Sequence, residues 1–75
     1  MRLTVIGVGY LGLTHAACMA DLGHDVLAID TDNDRVARVS AGELPFFEPG
    51  LEELLRKGLE AAGFRPTPRG LRLRG

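Results

Sequence analysis

The feature that most constrains the fold is the run Leu3-Thr-Val-Ile-Gly-Val-Gly-Tyr-Leu-Gly12, followed by Asp30 at the end of a second apolar run. A short β-branched segment leads into Gly7-x-Gly9-x-x-Gly12 and then into an apolar helical stretch, which predicts strand, tight turn and helix in that order. The three glycines have separate tasks. Gly7 permits the turn, Gly9 lets the backbone come close to a bound group, and Gly12 lets the helix press on the strand. The first-turn amides of the helix lack internal partners and the helix dipole adds positive charge there, so the turn can receive an anion through main-chain groups alone.

Such a turn is common by itself, and its surroundings decide its meaning. An apolar helix is expected from Leu11 to Leu22, closed by Gly23, and Asp25-Val-Leu-Ala-Ile-Asp30 supplies a second strand. Asp30 lies eighteen residues after Gly12, near the spacing of roughly 20 at which an acidic side chain accepts hydrogen bonds from the adenosine ribose of a dinucleotide. The expected fold class is therefore α/β: a partial Rossmann (doubly wound) fold, one βαβ unit plus two further helices, with a parallel sheet. Both strands are near-continuous apolar runs, the pattern of parallel strands covered on both faces. The carboxylate of Asp30 would repel a 2′-phosphate, which favours NAD over NADP as cofactor.

The chain has 75 residues, one small domain that buries only about 60% of its unfolded surface. No apolar run approaches the ~20 residues of a membrane span and the chain enters a strand directly, so a cytoplasmic protein without a membrane partner is expected. Cys18 is the single cysteine and cannot form an internal disulfide, which fits a reducing compartment. With His15 and His24 widely spaced, it gives no metal-ligand pattern. Residues 1–63 carry a net charge of −5 and residues 64–75 a net charge of +4. Four arginines without interleaved aromatics make a thin case for a nucleic-acid arm, and no nucleic-acid partner is expected.

After Asp30, Thr31 offers a helix cap with an acid three residues on, and a short helix to about Ala41 follows, stopped by Gly42. Glu43 to Gly50 is a loop with two prolines. Pro49 suits a first helical turn, and Leu51, Leu54, Leu55, Leu59 and Ala62 share a face of the next helix, with Glu52/Arg56 and Glu53/Lys57 as outward pairs and Gly63 as its end. Residues 1–63 thus form the N-terminal part of a dinucleotide-binding domain. Residues 64–75, with two prolines and an arginine at nearly every other place, are expected to be an irregular basic tail.

Gly7-Val-Gly-Tyr-Leu-Gly-Leu13, Ala17-Cys-Met-Ala-Asp-Leu-Gly-His24, Ile29-Asp30 and above all Ala41-Gly-Glu-Leu-Pro-Phe-Phe-Glu-Pro-Gly-Leu-Glu-Glu-Leu55 resemble the start of the UDP-glucose/GDP-mannose dehydrogenase family. The resemblance covers residues 1 to about 63, and its Glu-Pro-Gly-Leu signature is far more specific than the glycine motif. It implies an enzyme that oxidises the primary alcohol of a nucleotide sugar to a carboxylate with two NAD in succession, through a cysteine thiohemiacetal helped by a lysine and an acid. It also implies a homo-oligomer in the intact enzyme. Those catalytic residues belong downstream of the nucleotide domain, so no catalytic residue is expected in this chain. The family's cofactor contacts carry over to Gly7, Val8, Gly9, Tyr10, Leu11, Gly12 and Asp30, and to Arg35, which stands where the family places a basic residue against the adenosine portion.

Each candidate has a plainer reading. Arg35 could be a solvated charge; Tyr10 could pack over the pyrophosphate turn or only fill the start of the helix. His15 and His24 read as helix and turn residues, since no acid-base partner is visible. Cys18 is expected to be buried in an apolar helix as a small hydrophobe, and not a nucleophile. Phe46, Phe47 and Glu48 are expected to pack across the strand ends. With strand four absent and strand three spoiled, Leu3 to Ile6 would present an open apolar edge. The chain alone is expected to bind NAD weakly or not at all and to oxidise nothing. Its abrupt change at residue 64 reads as a reading-frame shift or misplaced stop, and a stand-alone nucleotide-binding or regulatory module without catalysis is the alternative function.

Overall fold

In a computed structural model of the chain, all residues except Pro45, Arg65, Pro66 and Pro68 are described. The elements run β1 (Arg2–Ile6), α1 (Tyr10–Asp21), β2 (Asp25–Ile29), α2 (Asn33–Ser40), α3 (Leu51–Ala61) and β3 (Gly70–Leu73). The sheet order is β1-β2-β3. β1 and β2 are parallel, with Leu3 beside Val26 and Val5 beside Ala28, and α1 makes the crossover between them.

The third strand corrects the expected sequence of parallel strands and the expected irregular tail. β3 lies antiparallel to β2, with Leu71 opposite Ala28 and Leu73 opposite Val26. The leucine–arginine alternation in the expected irregular tail is the period of a strand with one face buried. Leu71 and Leu73 are buried while Arg72 between them is half-buried and Arg74 beyond them is exposed. Of the prolines that argued against a strand, both precede β3 and lie outside the described residues. Gly70 is needed where β3 begins, because a Cβ there would run into the carbonyl oxygen of Ala28.

The helices pack on one face of the sheet. Val26, Ala28, Leu71 and Leu73 join Leu13, Ala16 and Ala20 of α1, Val36 and Val39 of α2, and Leu55 and Leu59 of α3 in a single core, with Leu3 and Val5 packed against it. The other face carries Thr4, Ile6, Leu27 and Ile29, and Ile6 is 82% exposed. The expectation that both faces are covered therefore fails among the described residues. β1 is an edge strand, as expected, with β2 as its one described neighbour.

Local signals were read correctly in kind and misplaced by a residue or two. The cap of α2 is Asp32, whose carboxylate accepts from the Arg35 amide at 3.1 Å, and not Thr31. Pro49 stands before α3 instead of in its first turn, because Gly50 serves as the cap with φ of 83°, and the Leu51 amide donates to the Glu48 carbonyl at 3.2 Å. Arg56 pairs with Glu52 at 3.0 Å as expected, but Lys57 reaches across to Asp21 of α1 at 3.3 Å and not to Glu53.

On α1 the buried face differs from the expected one. Leu13, Ala16, Ala17 and Ala20 are its buried side, whereas Cys18 is exposed, along with Leu11 and Leu22. The outward side carries only Thr14, His15 and Asp21 as polar residues among apolar ones, a faint contrast for showing which side turns inward. The small residues mark it here, since they allow close approach to the sheet.

Candidate functional site

The candidate site is built at the carboxyl ends of β1 and β2, where an open α/β sheet places its ligand. β1 leaves the sheet at Gly7, which has φ of 96°, a left-handed conformation that favours glycine, and whose amide still donates to the Ile29 carbonyl at 2.7 Å. Gly12 sits directly on this bend. A Cβ at Gly12 would collide with the Gly7 carbonyl oxygen and approach Val5 Cγ1 at 3.6 Å, so α1 can pack against the strand only if residue 12 has no side chain. Between them Gly9 caps α1, with no side chain bonding the first turn, and the Leu13 amide donates to the Gly9 carbonyl at 2.9 Å. The amides of Tyr10, Leu11 and Gly12 precede that first intrahelical bond and remain free to donate outward.

Asp30 does more than its spacing suggested. Its Oδ2 accepts from the Val8 amide at 2.8 Å and its Oδ1 from the Asp32 amide at 2.9 Å. The carboxylate thereby ties the glycine turn to the end of β2 and to the start of α2. These amides, Val8 first, hold its carboxyl below the ordinary carboxylate range, opposed by partial burial and aided by the charge of Arg35. Val8 is thus occupied within the protein, and the amides available to an anion lie at Tyr10 to Gly12.

Arg35, in the first turn of α2, extends toward the same place. Its Nη1 is 3.6 Å from where a Cβ on Gly9 would stand, and its Nε is 4.0 Å from Asp32 Oδ2. A guanidinium over the glycine turn and beside Asp30 can meet a phosphate or an adenosine edge. With both members of the Arg35–Asp32 pair roughly half exposed, that pair adds little to stability.

Tyr10 joins the turn to the 43–50 loop. Its hydroxyl donates to Glu48 Oε2 at 2.8 Å, and its ring lies 4.7 Å from that of Phe46 at a 55° tilt. Glu48, by this bond and its charge, raises the phenol above its ordinary value. Phe46, Phe47 and Glu48 are expected to pack across the strand ends; instead Phe46 packs against the core and the Tyr10 ring, Glu48 bonds Tyr10, and Phe47 is 89% exposed. This bridge was missed because residues 10 and 48 are related by no local period. The open cleft beside the loop, lined by Glu43, Leu44, Phe47, Glu48 and Glu52, is too acidic to attract a pyrophosphate. The adjoining turn carries no acidic side chain of its own and offers the first-turn amides of α1.

His15 is exposed on α1, and His24, at the start of β2, has a buried Nδ1 without a hydrogen-bond partner among the described residues. Neither approaches the turn through a recorded bond. No helix among the described residues is long and apolar enough to cross a membrane.

A parallel strand-turn-helix-strand with a glycine cradle and an acid ending the second strand defines a dinucleotide-binding α/β domain of Rossmann type. Residues 1–69 match the UDP-glucose/GDP-mannose dehydrogenase family, NAD binding domain, and the chain belongs to that family, whose cofactor is NAD. It is 55% identical over 62 residues to a UDP-glucose 6-dehydrogenase of Pseudomonas aeruginosa, covering 83% of this chain and 14% of that protein. It superposes with a TM-score of 0.79 on a GDP-mannose dehydrogenase of Pseudomonas aeruginosa solved as a ternary complex, at 35% identity over 83% of this chain and 14% of that one. A UDP-glucose dehydrogenase from Pyrobaculum islandicum gives a TM-score of 0.77 at 43% identity, over 81% of this chain and 14% of that one. The chain spans about one seventh of the length of these relatives.

Proposed function

We propose that this chain is the NAD-binding segment of a nucleotide-sugar dehydrogenase, of the type that takes UDP-glucose and two NAD to UDP-glucuronate. The observation that carries this reading is the Asp30 carboxylate bonded to the Val8 amide, which fixes the glycine turn against the end of β2. Gly7, Val8, Gly9, Tyr10, Leu11, Gly12, Asp30 and Arg35 are the cofactor residues. The amides of Tyr10 to Gly12 receive the pyrophosphate, Asp30 faces the adenosine ribose and disfavours a 2′-phosphate, and Arg35 lies against the adenosine side.

The sugar contacts and the chemistry belong to other parts of such an enzyme, a cytoplasmic homo-oligomer. Cys18, the chain's one cysteine, is exposed on α1 with no recorded bond to the turn, and has no part in the reaction. The isolated chain binds NAD weakly or not at all and oxidises nothing. NAD should therefore raise its thermal midpoint by the amount set by RT ln(1 + [L]/Kd), NADP should raise it less, and no NADH should form with UDP-glucose present. Turnover of UDP-glucose, or an NADP effect equal to that of NAD, would refute the assignment.

A second reading, a stand-alone nucleotide-binding module without catalysis, is favoured by β3. Leu71 and Leu73 join the core on the far side of β2, so residues beyond the family's glycine turn and loop take part in the same packed unit. Cooperative unfolding of the chain by heat would support it.

A further inference from the structure

The 43–50 loop carries the most specific sequence signature in the chain, yet the cofactor geometry leaves it without a task. Its contacts supply one. Tyr10 is the first residue of α1, so its own amide is among those that face the pyrophosphate in the reading above. The same residue's side chain is held at two points, by the Glu48 carboxylate at 2.8 Å and by the Phe46 ring at 4.7 Å. Phe46 in turn packs against the core, which anchors the clasp. Glu48 is followed by Pro49 and by the Gly50 cap of α3, so its backbone is fixed by the start of a helix. The bond therefore connects the first turn of α1 to the loop that leads into α3, across 38 residues of sequence.

We propose that Glu48 and Phe46 are positioning residues for the cofactor turn: they clasp the Tyr10 side chain and thereby keep the first-turn amides of α1 aimed at the pyrophosphate. The proposal rests on the NAD-binding reading of the turn. Held in place beforehand, these amides need no ordering when the cofactor arrives, which is the part of binding that preorganisation improves. Glu48 touches no phosphate and acts only through Tyr10. The clasp also keeps an anionic side chain occupied by a donor at the rim of an anion site.

The chain offers a direct probe, because Tyr10 is its one tyrosine and it has no tryptophan. Phenol absorbance during a pH titration therefore reports on the clasp alone. In the full 75-residue chain, Glu48→Ala should lower the phenol titration toward its ordinary value. Saturating NAD should raise the wild-type titration further, because coupling between the clasp and the cofactor is reciprocal. Tyr10→Phe and Glu48→Ala should each weaken NAD binding about two- to tenfold, the range of one hydrogen bond. The double variant should be no weaker than the weaker single one, and Glu53→Ala, on the exposed side of α3, should bind as wild type. Tyr10→Phe keeps its ring against Phe46, so it tests the idea even if Glu48→Ala unfolds. The proposal is overturned if folded Tyr10→Phe binds NAD as tightly as wild type, or if NAD leaves the phenol titration unmoved. Failure of the wild-type chain to respond to NAD at all, read by amide shifts, would instead remove the cofactor reading itself.

Discussion

β1 and β3 flank the same strand, and both meet Asp30, but they do so in opposite ways. From the β1 side, the Val8 amide donates to the Asp30 carboxylate at 2.8 Å; from the β3 side, the Arg69 carbonyl accepts from the Asp30 amide at 2.9 Å. The parallel neighbour ends where β2 ends, so its outgoing turn and helix lie beside the acid and form the proposed cofactor site. The antiparallel neighbour begins there, and what it brings to that end is backbone support and a pair of inward leucines. Direction, more than composition, separates a strand that builds a binding surface from one that closes a core.

That contrast can be broken at either strand. The largest effect is expected from Gly12→Ala, where the added methyl meets the Gly7 carbonyl and neither backbone can yield cheaply. A loss of about 3 kcal/mol, at the upper end of overpacking costs, should appear in thermal or urea unfolding, together with loss of any NAD effect. A wild-type stability for this variant would mean that helix and strand are not in contact there. Leu73→Ala tests the other strand. Leu73 is fully buried, and its truncation should cost about 2–4 kcal/mol. Unchanged unfolding would show that β3 is not part of the folded core.

A smaller effect, about 1–2 kcal/mol, is expected for Asp30→Asn, because the amide can accept from only one of Val8 and Asp32 and turns a donor toward the other. The acid dependence follows from the same bonds. The folded carboxyl is lowered relative to the unfolded one, so its stabilisation is complete above the ordinary carboxylate value, about 4, and is lost as pH falls through the lowered folded value. Wild type should lose stability over that range and Asp30→Asn should lose less, as read by unfolding midpoints at stepped pH. The smallest effect belongs to Arg72→Ala. Its 3.2 Å pair with Asp25 is partly exposed and should contribute under about 1 kcal/mol.

The parts legible in the sequence were those encoded locally. The glycine turn, the acid eighteen residues on and the leucine face of α3 each follow from a short-range spacing, and each appears where it was expected. Cys18 lies on the exposed side of α1, three residues from both His15 and Asp21, and the few polar residues among many apolar ones make that side a weak signal in the sequence. β3 was lost because nearby prolines and arginines suggested a broken strand, although Leu71 and Leu73 alternate with Arg72 as an edge strand should. The second task of Asp30, and the bond from Tyr10 to Glu48, depend on tertiary contacts over 22 and 38 residues. No spacing rule reaches that far.

In the proposed reading the β1 side of Asp30 is a cofactor surface and the β3 side is not. Titrating the uniformly labelled chain with NAD while following every backbone amide tests it most directly. Shifts should concentrate at Gly7 to Gly12, Asp30 and Arg35, with Leu71 to Leu73 unmoved. Shifts centred on β3 or on the acidic 43–52 cleft, or no shift at the glycine turn at any NAD concentration, would contradict it.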